Sequence, residues 1–172
     1  MSLDALLHTG ALTAGEALLR LCLAALFGLA IGFDRELRDK PAGLRTHAMI
    51  SLAACSLTVV ALSLVGEVPG GNGSAGRADP LRAIEAVATG VAFLGAGAII
   101  QSRGGVHGLT TGAGMWLAGA IGLACGGGFY FLAVVVTALG LVLLVVMGLI
   151  EKRLIRDRKH AEGKGTVEPR PR

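Results

Sequence analysis

Apolar residues fall in five long runs, at 17–33, 46–65, 84–100, 109–125 and 129–150, separated by short charged or glycine-rich segments. The runs are nearly continuous rather than spaced at amphipathic intervals, and each is close to the roughly 20 residues that a helix needs to cross a bilayer. In hydrocarbon a backbone must satisfy its own N–H and C=O groups, so such runs predict helices. The pattern therefore predicts an all-α integral membrane protein, a bundle of about five transmembrane helices over residues 1–150. A short basic tail over 151–172 is expected to fray into disorder. The stretch 66–76 is too rich in Gly, Pro and Ser to continue a helix and reads as a loop. Gly126-Gly127-Gly128 reads as a tight turn between the last two spans.

Composition agrees with this pattern: 53% of the 172 residues are hydrophobic. Five crossings use most of the chain and leave no room for a large soluble catalytic domain. The net charge of +4 could suggest nucleic acid, but eight of the sixteen Lys and Arg lie beyond Ile150, which points to topology instead. The connection 34–45 holds four bases, the loop around Arg103 one and the tail eight, while the opposite side has Arg77 and Arg82. The N-terminus is thus expected outside and the C-terminus in the cytoplasm, with no nucleic-acid partner. Residues 1–12 carry Asp4 and no Lys or Arg, so no removable signal peptide is expected. Cys22, Cys55 and Cys125 each sit inside an apolar run and read as small hydrophobes, not a disulfide framework.

Small residues recur one helical turn apart in Gly28-x3-Gly32, Gly108-x3-Gly112, Gly114-x3-Ala118 and Ala118-x3-Gly122, a spacing that permits close helix contact. Glu16 and Arg20, four apart at the entrance of the first span, read as an anchoring pair. The segment Gly-Phe-Asp-Arg-Glu-Leu-Arg-Asp-Lys-Pro-Ala-Gly-Leu-Arg-Thr-His, from Gly32, mixes three carboxylates with four bases between two spans. A topogenic loop needs only bases, so Asp34, Glu36 and Asp39 suggest ion pairs or ligands for a hard cation; a solvated loop with incidental pairs is the plainer reading. Pro41 and Gly43 end the first helix and allow a tight return. That return would gather Arg35, Glu36, Arg45, Thr46 and His47 into one polar cluster at the ends of the first two helices. Glu85 is the one carboxylate in the third run. With Ala88, Thr89, Ala92 and Ala96 it marks a face expected to turn inward, and it is a further candidate metal ligand or an interface anchor. Gly95, Gly97, Gly108 and the pair Thr110 and Thr111 form a second dense stretch, in which the hydroxyls can cap a helix start or hold an anion. Trp116, the single tryptophan, fits an interface anchor or a core plug.

These stretches resemble the MgtC/SapB family of bacterial membrane proteins. Its pattern of Gly-x-x-Arg-Glu followed by Lys-Pro-Ala-Gly-Leu-Arg-Thr-His is met by Gly32, Arg35, Glu36 and the unbroken run from Lys40 to His47. Downstream, Asp79-Pro80-x-Arg82, Phe93-Leu94-Gly95-Ala96-Gly97, Gly108-Leu109-Thr110-Thr111, Trp116 and Tyr130 follow in order. The resemblance implies a multi-pass protein of the bacterial inner membrane, linked to magnesium limitation and stress adaptation. Virulence-associated members carry a soluble domain after the last span, so the membrane core is the part expected to transfer. Five helices with Gly-rich faces suit helix partnering, so the expectation is a non-enzymatic regulator acting on another membrane protein complex within the lipid bilayer, with room for a homo-oligomer. The alternative is a divalent cation transporter or channel. No cofactor is called for, Mg2+ being the one candidate, and neither HExxH, GxSxG nor a pair of intramembrane aspartates supports an enzyme.

Overall fold

The computed structural model describes residues 12–67, 80–100 and 108–162. They form five helices and no strands: α1 (Ala14–Glu36), α2 (Leu44–Glu67), α3 (Pro80–Ile100), α4 (Leu109–Gly126) and α5 (Tyr130–Glu162). All five are long and apolar enough to cross a membrane. Most of the loop expected at 66–76, the Arg103 loop and the tail from residue 163 lie outside the described residues.

Local chemistry sets the ends of the helices. The Thr13 hydroxyl accepts from the Glu16 N–H at 3.3 Å and caps the start of α1. Glu16 therefore belongs to a capping arrangement, and the expected pair with Arg20 does not form. Arg20 instead donates from Nη1 to the Gly126 carbonyl at 2.6 Å, covering an orphan acceptor at the end of α4. Gly128, with φ +80°, makes the tight turn into α5, as the glycine run predicts. α5 continues to Glu162, so residues 151–162 are helical rather than frayed. Their Glu, Lys, Arg and Leu content favours helix once the apolar span has nucleated it.

α4 touches each of the other four helices and is the axis of the bundle. Over half of its span, 56%, is buried, against 17% for α3 and α5. One face of α2 is held closely by glycines of two helices. A Cβ on Gly28 would lie 2.7 Å from the His47 carbonyl oxygen and one on Gly32 2.7 Å from the Leu44 Cα. Next to α1 on the same face of α2, a Cβ on Gly126 of α4 would lie 2.7 Å from the Cys55 carbonyl oxygen, and one on Gly122 would overlap that of Ser51. Without a hydrophobic drive between helices in lipid, this proximity supplies the dispersion contacts that hold α1, α2 and α4 together. Ile31, Cys55, Ile121, Cys125 and Ala133 fill the core between these contacts.

α3 departs from expectation. Val87, Val91 and Gly95 face the bundle, Val91 reaching into the notch at Gly119 and Gly95 meeting Gly112. Spaced four apart, Val87 and Val91 pack in one cluster with Met115 and Ala118, and Val91 fills a glycine notch that the shorter alanine side chain would not reach into. The face expected inward, with Glu85, Thr89, Ala92 and Ala96, is exposed, and only Ala88 is half-buried. Gly97 lies on that outer side with open space where a Cβ would be, so close packing there is corrected.

Candidate functional site

The end of α1 and the starts of α2 and α4 converge on a polar joint. The return from α1 is fixed by the Lys40 N–H donating to the Arg35 carbonyl at 3.1 Å, with Asp39 at φ +51°. A left-handed Asp is tolerated where its short side chain can bond locally. Glu36 points back, its carboxylate accepting from the Leu44 N–H at 3.2 Å and capping α2. The same carboxylate occupies the space that a Cβ on residue 43 would need, which accounts for Gly43.

Arg35 turns inward and is only 3% exposed. Its Nη2 donates to the Thr111 hydroxyl at 2.9 Å, tying the end of α1 to the first turn of α4. Asp34 pairs with Arg38 four residues on, at 2.9 Å. His47 is fully buried, and its Nδ1 lies 2.9 Å from the Gly43 carbonyl oxygen. A carbonyl only accepts, so Nδ1 carries the hydrogen. Nε2 then faces Gly114, 3.0 Å from the position of a Cβ there. Ser51 is buried one turn beyond His47 on the same face of α2. Arg35 Nε, His47 Nε2 and Ser51 Oγ have no hydrogen-bond partner among the described residues. Buried polar groups are almost always paired, so three such atoms together on α1 and α2 single this joint out as the candidate site; a fourth, Arg20 Nε, lies at the other end of α1.

The predicted cluster is thus redistributed. Arg35 and His47 enter the joint, Glu36 caps α2, Arg45 is exposed and Thr46 is half-buried. Thr111 is the principal member that the loop pattern did not reveal. Thr110, its neighbour, is exposed. Gly108 has φ +88° and lies against the Ala98 carbonyl, forming the start of α4 where a side chain could not. Trp116 is 51% exposed and is no core plug. Among the described residues no three of His, Cys, Asp and Glu gather as metal ligands. Asp34 and Glu36 are engaged as above, Asp39 is exposed in the turn, and Glu85 lies near the start of α3, at the other end of the bundle.

A family model described as the MgtC family matches residues 21–153. The chain is 35% identical over 149 residues to an uncharacterized protein of Haemophilus influenzae Rd, covering 86% of this chain and 62% of that one. It is 41% identical over 116 residues to Protein SapB of Bacillus subtilis 168, covering 67% and 49%. It is 35% identical over 147 residues to YhiD of Escherichia coli K12, named as a proposed magnesium transporter, covering 86% and 67%. The chain thus spans about half to two thirds of the length of these relatives. No solved structure matches.

Proposed function

This chain belongs to the MgtC family of multi-pass bacterial membrane proteins, and from that premise we propose that it is a non-enzymatic regulator linked to magnesium limitation, acting through helix contacts with a membrane partner. The observation that carries the reading is the outer face of α3. Only 17% of that span is buried, yet its outward side bears Arg82, Glu85, Thr89, Gly90 and Gly97. α5 is equally exposed, but its span from 130 to 150 is charge-free and rich in Leu and Val, as a lipid-facing helix should be. Arg82 and Glu85 stand near the helix start, but Thr89, Gly90 and Gly97 lie deeper, where polar and small residues are suited to another helix rather than to acyl chains. The rival reading, a divalent cation transporter, draws support from the name of YhiD. It needs ligands along a path, whereas Asp34 and Glu36 are occupied at one end of the bundle and Glu85 stands at the other.

In this reading the N-terminus is outside, the C-terminus is cytoplasmic, and the partner is a second membrane protein in the inner membrane. The discriminating experiment is flux. Purified protein in liposomes loaded with a Mg2+-sensitive dye should give no uptake above protein-free vesicles. Saturable Mg2+ uptake would refute the regulator reading in favour of the transporter.

A further inference from the structure

The first turn of α4 meets a buried cation. The helix begins after Gly108, which supplies no side-chain cap, and its first backbone bond is the Gly112 N–H to the Gly108 carbonyl at 2.9 Å. The N–H groups of Leu109, Thr110 and Thr111 precede that bond and have no partner within the helix. A helix start carries a partial positive charge, which favours anions and opposes cations. Yet the group directed at it is the Arg35 guanidinium, 2.9 Å from Thr111 Oγ1 and 3% exposed.

Two positive ends so close are costly unless something negative joins them, because a buried charge without a counter-charge loses its hydration. Asp34 stands near enough to attract Arg35 but gives its hydrogen bonds to Arg38, and Glu36 caps Leu44, so neither carboxylate takes the Arg35 donors. Arg35 also keeps its Nε without a partner among the described residues, although guanidinium donors form a fork suited to paired oxygens. Leu109 and Thr110 of this turn are exposed, so the turn lies at the surface of the bundle.

We infer that Arg35 and the first turn of α4 form a binding site for an oxyanion, a phosphate group presented by a lipid headgroup or free in solution. The oxygens take the Arg35 Nε–H and the leading N–H groups of α4, while Thr111 holds the guanidinium in register. Occupancy would lock α1 against α4, and the site is independent of the partner face on α3.

The test uses the full chain in maltoside micelles, with thermal unfolding followed by the fluorescence of Trp116. One arm titrates inorganic phosphate against chloride at matched ionic strength. The other adds phosphatidylglycerol against diacylglycerol, which lacks the phosphate, and counts retained lipid by native mass spectrometry. The expected result is a saturable rise in midpoint with at least one phosphate source; the responding arm identifies it. Arg35→Lys should weaken that response about tenfold or more, the scale of one charge-assisted bond. Should Arg35→Lys fail to fold, Thr111→Val, which removes the hydroxyl at equal volume, should weaken it likewise and Thr111→Ser restore it. Equal stabilisation by chloride or diacylglycerol, no response in either arm, or an undiminished response in Arg35→Lys or Thr111→Val would overturn the site.

Discussion

Gly28→Ala and Gly97→Ala differ by the same single methyl on two helices of the same bundle, and the structure predicts opposite outcomes. At Gly28 the new Cβ would stand 2.7 Å from the His47 carbonyl oxygen and 2.9 Å from the Ala48 Cα. Ordinary contact begins at 3.4 Å, so the shortfall is about 0.7 Å against backbone, which has no rotamer to change. If α2 moved away from α1 it would also leave Gly122 and Gly126 of α4, which meet the same face of α2 just as closely, so the clash cannot be relieved without losing those contacts. Overpacking of this kind costs about 1–3 kcal/mol. Gly97 has nothing within 4 Å of its added Cβ. It should gain about 0.5–1 kcal/mol from replacing glycine inside a helix. Both variants receive that propensity gain, so their difference isolates the steric cost, about 1–3 kcal/mol. Unfolding by SDS from maltoside micelles, read by Trp116 fluorescence, measures it. Equal midpoints for the two variants, or a less stable Gly97→Ala, would refute the clamp and the outward assignment of Gly97.

Glu36→Ala should cost about 0.5–2 kcal/mol in the same assay by uncapping Leu44, while Glu36→Gln, which keeps an acceptor oxygen, should cost much less; equal losses would mean that charge rather than the cap matters. Reporter fusions after Ile150 and within 34–45 should give cytoplasmic signals, and one near Gly73 an exterior signal. A cytoplasmic signal near Gly73 would refute the five-span topology.

The five spans were legible because lipid demands length and apolarity, and both are written directly in composition. α1, α2 and α4 begin or end within three residues of the predicted limits. α5 overran them because the residues after Ile150 are charged yet good helix formers. The facing of α3 was not legible: a face of alanines and a face of valines are both apolar, and only Gly112 and Gly119 opposite decide which one packs. The site was half legible. The run from Lys40 to His47 pointed to the right corner, but the partner of Arg35 lies 76 residues away in a stretch that reads as a helix cap. Nothing in the spacing of Arg35 and Thr111 links them; their contact arises from α1 and α4 both packing on α2. Ser51 carries a weak signal, one turn from His47.

α5 comprises 33 residues, about 50 Å of helix, against a hydrocarbon layer of about 30 Å. About a dozen residues therefore run on past the apolar span as a helical post, with neither proline nor glycine among residues 151–162. A post of this kind transmits rotation. Inserting or deleting one residue after Ile150 would swing anything carried at its tip by about 100° and move it by about 1.5 Å. Deleting seven would nearly restore the original bearing at a lower height. Orientation beyond the membrane is thus set by helical phase, and a reporter or binding module attached there would sense the register of α5 as well as its side of the bilayer.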